Sequence, residues 1–366
     1  MTGTAGPDGP TGLAGPRPVI CPSCGREAGP QDNFCEGCRA ELIPAVVSGD
    51  PPGAAPTCAF CPAAAVTTDG YCESCGRKTA ARQDRTELDL AVLAGVTDRG
   101  LRHFRNEDAM ALATAESGRG PAAVAVVCDG VSSSQRPDEA SLAAAEAAVR
   151  VLLAAVRTGQ DLAWASRQAV SAAQDAVAGL HTPGGGPGAD PPSATFVSAV
   201  LGPDGVVLCW LGDSRAYWLG DGSGPPSGAR QLTTDDSLAG EMVAAGLVSA
   251  AGALALPGAH VVTGWVGADS GTEPHVMTFD PPGPGVLLLC SDGLWNYQAE
   301  AGLLAALALP RALADPLGAA RALVQFALDA GGSDNVTAVL APFPPAAARP
   351  PAGHPDPEEN LTDEPA

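Results

Sequence analysis

Aromatic residues are scarce in this 366-residue chain: Phe, Tyr and Trp together make up 4%. A core with so few rings has to be filled with Ala, Val and Leu. Basic residues are scarce as well. Lys and Arg total 20 against 41 Asp and Glu, a formal net charge of −21. That deficit excludes a general affinity for nucleic-acid backbone, which needs basic surface, and an anionic membrane as partner. No apolar run reaches the roughly 18 residues of a membrane span. The first residues, 1–18, are rich in Gly, Pro and Thr and lack the apolar stretch of a signal peptide. The expectation is a cytoplasmic protein. The acidity favours solubility and says nothing about fold.

Cysteines fall into two groups. Cys21, Cys24, Cys35 and Cys38 form one CxxC-x10-CxxC unit, and Cys58, Cys61, Cys72 and Cys75 repeat it with the same offsets. Thiolate pairs at this spacing clamp one zinc ion from two sides. Two small zinc ribbons are expected, over 19–41 and 57–78, each too small to be held by burial and therefore folded by its metal. Disulfides are the competing reading, disfavoured without a secretory signal. Four thiolates leave no open coordination position, so both zinc ions are structural. With only Arg26, Arg39, Arg77 and Lys78 nearby, a protein partner suits the ribbons better than nucleic acid. Cys128, Cys209 and Cys290 sit inside apolar runs and read as small buried hydrophobes.

The flanking segments read as a disordered start (1–18), a proline-rich linker (42–56), a charged connector (79–87) and a disordered, acidic tail (342–366). Between them, 88–341 changes to short apolar runs. Strands are expected at 91–97, 108–113, 122–128, 195–201, 206–211, 215–219, 229–232, 275–279, 285–290 and 336–340. Gly202-Pro203-Asp204-Gly205 signals a hairpin. Two alanine-rich helices are expected over 138–180, with Asp161 capping the second, and further helices at 237–246, 300–309 and 315–330. Helices grouped between runs of antiparallel strands indicate an α+β layered domain of about 250 residues and argue against a doubly wound parallel sheet.

Five acidic motifs punctuate this domain: Asn106-Glu107-Asp108-Ala109, Asp129-Gly130, Gly212-Asp213-Ser214-Arg215, Ser291-Asp292-Gly293 and Asp334-Asn335. Most adjoin an apolar strand. Carboxylates at strand ends are the oxygen ligands that a hard divalent cation takes. Each motif alone is more often a turn or a solvated strand end; their order along one chain points to a metal site assembled from distant segments.

With Thr97-Asp98-Arg99-Gly100, Asp235-Asp236-Ser237 and Ser333-Asp334-Asn335-Val336-Thr337 added, residues 88–341 resemble the metal-dependent protein serine/threonine phosphatases of the protein phosphatase 2C (PPM) type. The resemblance implies a four-layer α-β-β-α sandwich with two central antiparallel sheets. It implies two Mn2+ or Mg2+ ions. Asp129 would bridge both, Asp292 and Asp334 would complete one site, and Glu107 and the Gly130 carbonyl would serve the other. Asp108 would orient the ligands from behind. Asp213 lies where the family can hold a third, weaker metal, or it stabilises a turn. The implied reaction is in-line attack on phosphorus by metal-activated water, with no covalent enzyme intermediate. The implied partner is a phosphoprotein modified by a Ser/Thr kinase.

Two departures stand beside the carboxylates. Where the family often has a phosphate-binding Arg, this chain has His103, with Arg102 and Arg105 beside it. Strand alternation would turn His103 and Arg105 toward the site; a structural histidine is the other reading. Val131 replaces a His that in some members protonates the leaving oxygen, and Ser132-Ser133-Ser134-Gln135 replaces a Gly-rich turn. The complete acid set favours an active phosphatase with its ribbons as docking modules. The two departures keep a weakly active or inactive scaffold as the alternative.

Overall fold

The computed structural model describes residues 19–20, 26–28, 36–37, 46–47, 84–181, 190–220, 228–249, 252, 258–259 and 261–346. All eight cysteines of the expected zinc ribbons lie outside these residues.

The described elements run β1 (Val19–Ile20), β2 (Glu27–Ala28), β3 (Val46–Val47), β4 (Arg85–Asp89), β5 (Ala94–Asp98), β6 (Asp108–Ser117), β7 (Gly120–Asp129), α1 (Pro137–Thr158), α2 (Leu162–Ala178), β8 (Ser193–Ala194), β9 (Phe196–Gly202), β10 (Gly205–Leu211), β11 (Arg215–Gly220), β12 (Arg230–Gln231), α3 (Leu238–Ala244), β13 (Val266–Gly267), β14 (His275–Phe279), β15 (Gly285–Cys290), α4 (Asp292–Trp295), α5 (Ala301–Ala312), α6 (Pro316–Asp329) and β16 (Val336–Phe343). Two six-stranded sheets carry the domain, in the orders β14-β10-β9-β7-β6-β3 and β12-β11-β15-β16-β5-β4. Every strand pairing in them is antiparallel.

The period of two in each strand sorts side chains into three apolar layers. On β6 and β7, Ala109, Ala111, Val124 and Val126 face α1 and α2. The alternate residues Met110, Leu112, Ala125 and Val127 face the second sheet, meeting Trp218, Leu287, Leu289 and Val339. On the far side of that sheet, Tyr217, Val286, Leu288 and Leu340 pack under α5 and α6. The result is helix, sheet, sheet, helix. The outer helices bury mostly alanine (Ala140, Ala144, Ala145, Ala148 on α1), which lets the helix approach closely and makes up for the shortage of rings.

Local signals fix the helix ends. Pro137 opens α1, with Asp138 and Glu139 in its first turn, and Gly159 closes it in the left-handed conformation. The Asp161 side chain accepts from Trp164 N (2.6 Å) at the start of α2. The β9–β10 hairpin turns at Pro203-Asp204, with Gly202 opposite Gly205.

Several expectations shift. The strand expected at 91–97 begins at Ala94, because Leu90–Leu93 form a turn in which Ala91 has φ 64° and its N–H bonds Asp89. The charged stretch before it is itself strand β4, paired with β5. Helix α5 continues through Pro310 to Ala312, because Ala308 and Ala312 are buried against the sheet. Within the segment read as a linker, β3 pairs with Ala111 and Leu112 at the edge of the first sheet.

Strand β4 is an edge strand with few apolar residues, so side-chain charges fasten it. Glu87 accepts from Arg321 on α6 (2.6 Å) and from Arg85 (3.0 Å). These partners, Arg321 first, hold its carboxyl below the usual 4.5. A depressed folded pKa means stability that is fully present above pH 4.5 and fades as pH falls through the lowered value. Glu87→Gln should cost about 0.5–1 kcal/mol in urea unfolding at pH 7, and wild type and variant should converge in acid below that value.

Candidate metal centre

Both sheets deliver their acidic motifs to the same end. Asp108 opens β6 and Asp129 closes β7, and the antiparallel register sets the two directly opposite. Asp292 follows β15 and Asp334 precedes β16, which are neighbours in the second sheet. Asp213 lies in the Gly212–Ser214 link between β10 and β11, which passes from one sheet to the other. Five carboxylates from separate segments therefore share one end of the sandwich.

A lattice of hydroxyls and amides holds them. Ser291 Oγ and Thr337 Oγ1 both donate to Asp108 Oδ2, at 2.7 Å each, and Thr337 Oγ1 also reaches Thr97 Oγ1. Asn106 Nδ2 donates to Thr97 Oγ1 (2.8 Å). The Asn335 amide oxygen accepts from Glu107 N (2.7 Å), while its Nδ2 donates to the Arg99 and Arg105 carbonyls. Asp129 N donates to Thr195 Oγ1 (3.1 Å), which also bonds Ser214 Oγ.

Two Asp-Gly pairs owe their glycine to close backbone approach. A Cβ at Gly130 would meet the Pro137 carbonyl, where α1 begins, and one at Gly293 would meet the Asn335 carbonyl. The motif glycines therefore let the carboxylate loops pack against their neighbours.

Negative charge is in excess here. Burial first, then Asp334 and Asp292, pushes Asp108 up to about 7, and burial followed by Asp334 raises Asp292 to about 6. Burial and the neighbouring carboxylates hold Asp129 and Asp213 well above the ordinary carboxylate range. Asp108 Oδ1 is buried with no hydrogen-bond partner. An all-oxygen set with surplus charge and an orphaned carboxylate oxygen fits hard divalent cations. The donors are not gathered, however: among the described residues no group of three or more His, Cys, Asp or Glu side chains is arranged to hold one ion. They are engaged elsewhere. Asp334 Oδ1 pairs with His103 Nε2 (3.0 Å), Asp292 Oδ2 accepts from Asn296, and Glu107 accepts from Arg105 Nε (3.0 Å) and Ser132 Oγ (2.6 Å).

His103 and Arg105 do reach the site, but by a different route from the one expected. Residues 101–105 form a turn and bend with no strand, so alternation does not orient them; Asp334 and Glu107 do. Arg105 also lies 3.4 Å from Asp138 at the start of α1. Val131 bonds through its backbone N–H to Ser193. Asp235 forms a bidentate pair with buried Arg215 (2.9 and 2.7 Å), and Arg215 stacks on Trp295, whose indole donates to the Asp213 carbonyl. Asp236 binds Gly212 N (2.9 Å) and His275 (2.8 Å). Both aspartates are thus engaged in structural contacts. Burial pushes the Cys128, Cys209 and Cys290 thiols up, which makes them unreactive.

Residues 100–266 match the family described as Protein phosphatase 2C. The domain has the protein phosphatase 2C fold. A solved relative is the PPM Ser-Thr phosphatase MsPP of Mycobacterium smegmatis, in complex with cacodylate: 29% identity, TM-score 0.53, covering 68% of this chain and 97% of that one. The catalytic domain of the serine/threonine protein phosphatase PstP, in complex with two manganese ions, shares the fold at 24% identity and TM-score 0.52, covering 68% of this chain and 97% of that one. The serine/threonine phosphatase stp of Listeria welshimeri is 32% identical over 146 residues, covering 40% of this chain and 55% of that protein. The chain thus spans about half the length of this relative. No helix among the described residues is long and apolar enough to cross a membrane.

The raised carboxyls of the metal-free site bind more protons than they do unfolded. Stability of metal-free protein should therefore fall as pH rises from about 4 to about 7, and a saturating divalent cation should cancel that slope while raising Tm. Calorimetry with EDTA or Mn2+ across this range checks both. Gly293→Ala should cost about 1–3 kcal/mol and weaken cation binding, read by unfolding and titration calorimetry.

Proposed function

We propose that this chain is a metal-dependent phosphatase of phosphoserine and phosphothreonine in proteins. The observation that carries this reading is the placement of Asp108, Asp129, Asp292 and Asp334 at one end of both sheets, with burial and like charge raising the pKa of the first three, and with Glu107 beside them. The names of the relatives agree with it.

Asp129 would serve both of two Mn2+ or Mg2+ ions, Asp292 and Asp334 one of them, and Glu107 with the Gly130 carbonyl the other, with Asp213 near a third. When bound, the cations acidify water at the site and neutralise charge on the phosphoryl oxygens. Asp108, clamped by Ser291 and Thr337, keeps the two sheet ends in register so that the carboxylates stay aligned. His103 and Arg105 lie beside the cluster and receive phosphoryl oxygens. Val131 has no proton to give the leaving oxygen, so water supplies it. Phosphoproteins made by a Ser/Thr kinase are the substrates, and the eight N-terminal cysteines hold two structural zinc ions in ribbons that dock a protein partner. The second reading, a phosphatase fold that acts by binding alone, draws on the His103–Asp334 pair, which engages a ligand carboxylate.

Hydrolysis of a phosphothreonine peptide should require Mn2+ or Mg2+ and fall about a thousandfold or more in Asp129→Asn, consistent with several kcal/mol of lost transition-state stabilisation. No hydrolysis above the enzyme-free background with either metal would favour the binding-only reading, and equal finite rates with EDTA or in the variant would overturn the metal-dependent one. Colorimetric zinc release from the full chain should give two zinc ions per molecule.

A further inference from the structure

The turn of residues 101–105 presents an aromatic ring to solvent at the edge of the carboxylate cluster. Phe104 is 90% exposed, although Phe196 and Phe279 are buried and Phe326 and Phe343 are packed against the core. A slack loop does not explain this. Leu101 N bonds the Gly332 carbonyl (2.7 Å), the Arg99 guanidinium bonds the His103 carbonyl, and Asn335 Nδ2 bonds the carbonyls of Arg99 and Arg105. Asn335 in turn adjoins Asp334 and binds Glu107 N. The backbone on both sides of the ring is thus tied to the segments that carry the carboxylates.

The neighbours of Phe104 in sequence fix its position relative to the chemistry. His103 touches Asp334 and Arg105 touches Glu107, and consecutive Cα atoms lie about 3.8 Å apart. The ring therefore stands one residue from two separate contacts with the centre. A peptide whose phosphoryl group entered the cluster would have an adjoining side chain within reach of this turn. Leu101, in the same turn, is 64% exposed.

We propose that Phe104 is a specificity-determining residue that favours phosphoprotein substrates with an apolar side chain next to the phosphorylated residue. This rests on the phosphatase reading above. An exposed ring on a fixed turn loses little freedom on contact, so the preference comes from burying apolar surface at little ordering cost.

The test compares two phosphothreonine peptides, with Leu or with Gly on both sides, on the full chain in Mn2+. The wild type should favour the Leu peptide in kcat/KM by about fivefold or more, in the range that one or two methylenes provide. Phe104→Ala and Phe104→Ser should bring the ratio near one, and Phe104→Leu should retain most of it. No preference in the wild type, or an unchanged ratio in both small variants, overturns the proposal. An equal rise on both peptides would mean that another part of the chain covers the ring, and overturns it too. If the wild type hydrolyses neither peptide, the phosphatase reading fails, and binding of non-hydrolysable phosphonate analogues, read by anisotropy, decides the matter. A Leu preference lost in Phe104→Ala supports the role of the ring, and equal binding of both analogues removes it.

Discussion

Burial of carboxylates, compounded by their mutual repulsion, at one end of two stacked sheets is the constraint that the rest of the domain answers to. Asp108, Asp129, Asp213 and Asp292 all sit where burial and like charge disfavour ionisation. Nothing in the apolar layers offsets this. The offset comes from short hydroxyl and amide side chains, among them Thr97, Thr195, Ser291, Thr337 and Asn335, each bonded to a carboxylate, to the backbone beside one or to another member of the lattice. The fold is thus a rigid frame that holds unfavourable charge in place. Such a frame is useful when a cation supplies what the frame withholds.

The three apolar layers make that rigidity possible. Each inner strand is committed on both faces, so a strand end cannot tilt without disturbing two cores. Alanine on the outer helices and larger residues between the sheets divide the task. Close helix approach closes the outside, and Trp218 with Phe279 and Phe343 fills the middle.

Much of this was legible in the sequence, because the signals were local. Strand runs at 275–279 and 285–290 coincide with β14 and β15, Asp161 caps α2, and the acidic motifs reach the same end of the sandwich, although among the described residues no three of their side chains are arranged to hold one ion. Other features were hidden because their causes are not local. Strand β4 looked like a charged connector; its partner is β5 and its fastening is Arg321, far along the chain. His103 was assigned to a strand, whereas tertiary bonds from Arg99 and Asn335 shape a turn there. Thr195 carried no signal beyond a hydroxyl at a strand start, and its role depends on Ser214 and Asp129 reaching it. Ser291 and Thr337 were visible as motif neighbours, but their joint hold on Asp108 required the pairing of β15 with β16.

The register of β6 against β7 has a consequence at its other end. The hairpin turns between Ser117 and Gly120, about 30 Å from Asp108 and Asp129 at strand rise per residue. That turn acts as the ruler of the site. Inserting or deleting one residue there would slide β6 by one place, exchange its two apolar faces and carry Asp108 away from Asp129. A solvent-facing turn with no chemistry of its own therefore sets the spacing of the acids, and its length is as much a functional dimension of this protein as the carboxylates themselves.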